Sequence, residues 1–172
     1  MGDPGFDYVE AIASHSAGFA AAASEADPLA PVPSCPGWSV ADLVSHLTEV
    51  HWFWSTIVEE RLRERPSEDR RPASAKPDEL IPVFEAGADR LVRVLRAARD
   101  DEPVWTWAPS QRDVGFVRRH QVQEAAVHHW DVENVLGREL TIGTRIAVDS
   151  ISEFLTFSVS SQADQADPPC PA

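Results

Sequence analysis

Cysteine is nearly absent: Cys35 and Cys170 are the only two in 172 residues, and neither stands in a C-x-x-C or C-x-x-H spacing. A disulfide framework and a cysteine-built zinc site are thereby excluded. Basic residues are scarce too, 15 Lys and Arg against 28 Asp and Glu, which leaves a formal charge of −13. Phosphate backbones and anionic membranes would repel such a chain, so neither nucleic acid nor membrane is an expected partner. No stretch approaches the roughly 18 apolar residues of a spanning helix, and the first residues lack a basic-then-apolar leader. A cytoplasmic location is expected. The composition that remains, 43% hydrophobic and 25% charged, is that of an ordinary folded domain. A chain of this length can bury enough surface to fold without disulfides or a structural metal.

The prolines act as punctuation, clustering at 28–36, 66–82, 103–109 and 168–171, and the pattern between them is helical. A first helix is expected from about Asp7 to Ser24, followed by a proline-rich loop from Asp27 to Gly37. The second helix has the clearest start: Ser39 is an N-cap with Asp42 at the third helical position, and Trp38 can staple onto Leu43. Leu43, Leu47, Val50, Trp54, Ile57 and Val58 carry it to about Arg63. Residues 64–77 read as a mobile connection. A third helix follows from about Asp78, with Pro82 tolerated in its first turns. Residues 100–115 read as an ordered loop holding Trp105 and Trp107. The fourth helix is expected from about Phe116 to Leu136, stopped by Gly137. A last one, Thr144 to Val159, has an apolar face of Ile146, Val148, Ile151, Phe154 and Leu155. The final residues, 161–172, are too polar to pack and read as a disordered tail. Long helices with little strand signal indicate an all-α, up-and-down four-helix bundle with one additional helix, spanning 5–160.

The chemistry concentrates in the fourth helix. With Glu124 as reference, His128 lies about 40° to one side and Asp131 about 20° to the other, and His120 and Gln121 fall within roughly 60°. Glu124 and His128, four apart, can converge on one ion as the histidines of H-E-x-x-H do. E-x-x-x-H is nevertheless a common string, and on spacing alone an intrahelical hydrogen bond on a solvated face is the plainer reading. A third ligand must come from elsewhere, and His46 on the apolar face of the second helix is the candidate, although a lone histidine there is more often part of the core. His51, about 140° from His46, is expected at the surface. Two histidines and a carboxylate suit zinc and also Fe(II), Mn or Ni. Arg118 and Arg119 are candidates to meet a substrate carboxylate, with surface ion pairs as the plainer reading. Trp105 and Trp107 are candidates to line a pocket mouth. Cys35 has no evident base beside it.

Two segments carry a resemblance. The run Val32 to Leu47 resembles the PxCPGW(S/T)VxDLxxHL signature of the mycothiol-dependent maleylpyruvate isomerase family, within the DinB-like superfamily. The run Glu124 to Asp131 is similar to its second signature, ExxVHxWD. The resemblance implies a DinB-like bundle whose divalent metal is held by His46, Glu124 and His128, with Asp131 orienting a ligand from behind. It also implies mycothiol, the low-molecular-weight thiol of actinobacteria, as cofactor or co-substrate, and a small electrophile as the other partner. Many family members continue into a smaller domain that helps close the active site. The segment after Val159 here reads as tail, which leaves isomerase and thiol S-transferase activity both open, and a homodimer open as well. The reading from a different class is a non-catalytic helical bundle that binds a metal or small ligand.

Overall fold

The computed structural model describes residues 6–108 and 110–158. The expected tail and Val159 lie outside them. Among the described residues the regular structure is helical: α1 (Tyr8–Glu25), α2 (Val40–Glu59), α3 (Leu80–Ala97), α4 (Val114–Val135) and α5 (Thr144–Glu153), with a 3₁₀ turn at Glu68–Arg70 and a π-helical turn at Phe154–Ser158. This is the all-α, DinB-like bundle, and none of its helices is long and apolar enough to cross a membrane.

Local chemistry sets the helix starts. Asp7 accepts from the Glu10 amide and Asp113 from the Phe116 amide, both at 2.9 Å. Ser39 and Asp42 form the reciprocal capping box, with the Ser39 amide donating to Asp42 at 2.9 Å and the Asp42 amide to Ser39 Oγ at 3.2 Å. Gly137 takes φ 69° after α4, as a helix-ending residue should. α2 stops earlier than the apolar pattern suggests. Arg61 adopts φ 54°, and the Leu62 amide turns back to the Ile57 carbonyl at 2.9 Å, a Schellman ending without glycine.

Around the bundle the helices run α1–α4–α2–α3, since α1 packs on α4 and α3, and α2 packs on α3 and α4. The consecutive pairs α1–α2 and α3–α4 therefore face each other across the diagonals. Two apolar clusters fill the interior. One centres on Ile12, Ile57, Leu91, Leu95, Phe116 and Val117, and the other on Phe19, Leu43, Leu47 and Phe84. α2 and α4 make the sparsest of the four seams.

Two expectations, on His51 and on the face of α5, need correction. His51 is buried, 1% exposed, with its ring 5.1 Å from that of Phe84. α2 is covered on two sides, and Gly87 of α3 leaves room beside the His51 Cβ. The stretch 64–77 runs along α2, where Arg70 meets Glu60 at 2.6 Å and Arg71 meets Glu49 at 2.7 Å. On α5 and the π-helical turn that follows it, Val148, Ile151, Phe154 and Leu155 are exposed, while Ile146, Glu153 and Phe157 face inward. Arg119 and His120 of α4 dictate that rotation by pairing with Asp149 at 2.9 Å and Glu153 at 3.2 Å.

Where α1 crosses α4, the His129 ring lies over Gly18, and a Cβ there would meet His129 Cε1 at 2.3 Å. Glycine inside a helix ordinarily costs about 0.5–1 kcal/mol relative to alanine. Here the clash should outweigh that gain. Gly18→Ala is expected to lose about 1–3 kcal/mol in urea unfolding, as overpacking does, and to become neutral or stabilising in a His129→Ala background. A stabilised single variant would refute the close approach.

Candidate metal centre

The loop between α1 and α2 builds the outer support of the site. Val32 donates to the Trp38 carbonyl at 2.9 Å, Cys35 to Val32 and Trp38 to Cys35 at 3.0 Å, and Gly37 at φ 88° lets the chain reverse. This tight fold carries Ser34 and Cys35 to the side of α4. Ser34 Oγ donates to Asp131 Oδ1 at 2.5 Å, and Cys35 Sγ lies 3.8 Å from Oδ2. Burial and the Asp131 charge both push the Cys35 thiol up, so it stays protonated. Cys35, His128 and Asp131 form a further group of ligand-type atoms close together, sharing His128 with the main one.

On α2, Leu43 and Leu47 are fully buried and fix the rotation of the helix. His46 consequently faces the α4 seam, its ring backed by Trp38 at 4.9 Å between centroids. On α4, Val122, Ala125 and Ala126 are in the core, and Glu124 and His128 lie at its edge. His46 Nε2 is 3.7 Å and His128 Nε2 3.5 Å from the same oxygen, Glu124 Oε2. One ligand atom from each of the three residues lies within 4.8 Å of the others. The structure thus brings His46, Glu124 and His128 together.

Each donor is held from behind. Asp131, 2% exposed, takes His128 Nδ1 at 2.8 Å, which turns Nε2 toward Glu124. His120 Nε2 lies 3.5 Å from Glu124 Oε1, and its own Nδ1 3.2 Å from Glu153, a carboxylate 1% exposed. The His120 ring is stacked on Phe116 at 5.6 Å, with Trp107 at 5.6 Å and Trp54 at 5.8 Å on its edges. Glu153 went unanticipated, because nothing in the spacing along α5 marks it as a partner of α4. Its signal is the His120 four residues before Glu124.

The electrostatics favour positive charge. Burial alone would raise the Glu124 carboxyl, but hydrogen bonds from His128 and His46 and the charges of His120 and His128 hold it well below the usual carboxylate range. Burial likewise opposes protonation of His128, yet Asp131 and Glu124 raise it to about 9. The ion-pair partners of these two carboxylates are histidines. An imidazolium proton therefore sits where a cation would.

Arg118 and Arg119 lie elsewhere. Arg118 pairs with Asp100 and donates to the Leu95 and Ala98 carbonyls at 2.5 and 2.8 Å, closing the end of α3. Arg119 bonds to the Asp149 side chain and carbonyl at 2.9 and 3.1 Å. Both guanidiniums serve the α3 and α5 sides of α4, not the α2 seam. Trp105 packs on Phe53 and Trp54, and Trp107 belongs to the box around His120.

An all-helical bundle with two histidines and one carboxylate converging across a helix seam defines the class of this protein. Residues 9–133 match the family model described as mycothiol maleylpyruvate isomerase N-terminal domain. The chain belongs to that family. No curated protein and no solved structure matches it significantly.

Proposed function

We propose that the chain is a divalent-metal-dependent enzyme that uses a low-molecular-weight thiol, mycothiol, and acts as an isomerase or thiol S-transferase on a small electrophile in the cytoplasm. The observation that supports it is the convergence of His46, Glu124 and His128 at the α2–α4 seam, in a chain of a family whose name carries mycothiol. The donor set fits an ion. Donors bound about 2.1 Å from one metal stand roughly 3.0–3.4 Å apart, and the two histidine nitrogens are 3.7 and 3.5 Å from Glu124 Oε2. Zinc is the first choice, and Fe, Mn and Ni suit the same donors.

A divalent ion held there supplies the positive charge that lets a thiol ionise near neutral pH. The chain's own residues do the rest. Asp131 keeps the His128 proton on Nδ1 and frees Nε2 as a donor. Glu124 is committed through Oε2 and steadied at Oε1 by His120, so it is not free to act as a base. Trp38 covers one face of His46 and limits how that ring can turn.

The test is spectroscopic. With Co(II) in place of the native ion, mycothiol should produce a sulfur-to-cobalt charge-transfer band that titrates below about pH 8, under the ordinary range of a free thiol. Failure of the band at saturating thiol, together with no thiol-dependent turnover of maleylpyruvate or other electrophiles, would leave a non-catalytic metal- or ligand-binding bundle.

A further inference from the structure

His15 of α1 and His129 of α4 take no part in the metal centre. They meet across the α1–α4 seam, with their Nδ1 atoms 3.2 Å apart and their rings edge to face at 5.4 Å between centroids. Gly18 permits this approach, since a Cβ there would occupy the space of the His129 ring. The other ring nitrogen of His129, Nε2, faces Glu133 at 3.6 Å, and both of these side chains are largely buried. His15 is half-buried, which keeps the pair open to solvent on one side.

Two imidazole nitrogens this close have room for one proton between them and not for two. The Glu133 carboxylate draws the His129 proton to Nε2, as a carboxylate behind a metal-binding histidine does, and leaves a lone pair on Nδ1. His15 then donates across the gap. If its proton moves to its own Nε2, two lone pairs face each other with nothing to share. Two nitrogens 3.2 Å apart, each about 2.1 Å from one ion, subtend about 100° at it, between the tetrahedral angle and the cis angle of a square. A small turn of each ring aims both lone pairs at that point. The protein's charge of −13 draws a cation in, and the nearby Arg138 is itself balanced by Glu25 and Glu133.

We propose that His15 and His129 form a second, two-histidine site for a late transition-metal ion of the Zn(II), Ni(II) or Cu(II) class, with water completing the coordination. Glu133 is the positioning residue that fixes the His129 tautomer. Imidazole donors select against Mg(II) and Ca(II), which take oxygen ligands. With two protein donors instead of three, the site binds more weakly than the centre at His46 and exchanges its ion during purification. An ion here ties α1 to α4, so its binding favours the folded bundle. The two sites have no residue in common, and each assignment can fail without the other.

The experiment is a Zn(II) titration of the chelator-stripped protein and of His46→Ala, followed by NMR of the histidine ring signals. His46→Ala removes the shifts that His129 would feel from an ion on its neighbour His128. In both proteins the His15 and His129 rings should shift together, in the parent at a zinc concentration at least ~10-fold above the one that fills the His46 centre. Ca(II) should shift neither ring. His15→Ala should weaken this second binding by at least ~10-fold, and Glu133→Gln by about tenfold, the lower end of what an outer partner contributes. Zinc shifts confined to His46 and His128 in the parent would overturn the proposal and leave a hydrogen-bonded histidine pair only. So would a His46→Ala protein that binds no zinc, or a second binding unchanged in His15→Ala. Shifts at His15 and His129 alone in the parent would support this site and count only against the centre at His46.

Discussion

Purified without chelator, the protein is expected to hold about one divalent ion per chain, and His46→Ala is expected to lower its affinity for that ion by at least ~100-fold. Removing an outer partner of a ligand already costs 10–100-fold, so removing the ligand itself should cost more. His46 is the cleaner position for the test. Its side chain is about one-third exposed, and truncating it leaves Glu124 still paired with His120 and His128. His128→Ala should lose the metal as well, but at a price in stability. It strips Asp131, 2% exposed, of the imidazole it faces at 2.8 Å, and breaking such a buried pair costs on the order of 3 kcal/mol. The bundle itself should survive chelation, because the two apolar clusters do not include the three donors. Helical circular dichroism should persist while thermal stability falls by the linked binding free energy. Full metal content in both variants, by elemental analysis, would remove the assignment.

Acid should weaken this protein in part through His51. Burial lowers His51 to about 4, against roughly 6.5 in an unfolded chain. The unfolded state therefore takes up a proton at a pH where the folded state still refuses it. Stability contributed by the neutral ring is complete above about pH 6.5 and is lost as the pH falls toward 4, about 3 kcal/mol over that window. His128 has the opposite sign. Raised to about 9 in the metal-free protein, it contributes stability below about pH 6.5 that is lost as the pH rises through 9. Urea unfolding at pH 7 and pH 4 checks the first effect. The parent protein should lose about 3 kcal/mol more than His51→Leu between the two conditions. Equal losses would mean that His51 is not held neutral by the fold.

The convergence of His46, Glu124 and His128 was legible through two linear family motifs, while spacing alone favoured a solvated face for Glu124 and His128 and a core place for His46. Whatever depends on a neighbour was not legible. His51 looked exposed because its angle from His46 says nothing of how many helices cover α2. The face of α5 was misjudged because Arg119 and His120 choose its rotation through Asp149 and Glu153, against the preference of Val148, Ile151 and Leu155 for the interior. Arg118 finds its partners at the end of α3, a meeting that no spacing along α4 can foretell. The early end of α2 rests on Arg61 entering a left-handed conformation that sequence alone would reserve for glycine.

The circular order α1–α4–α2–α3 has a kinetic meaning. His46 and the pair Glu124 and His128 are separated by about eighty residues of chain, so their meeting closes a long loop. Contacts of such separation form late, after the local helices and the α2–α3 hairpin have gathered. An intermediate lacking α4 offers only His46 of the three candidate donors, too few to capture an ion. Selective metal uptake should therefore coincide with completion of the chain's tertiary assembly, making the bound ion a timestamp of maturation rather than a template for it.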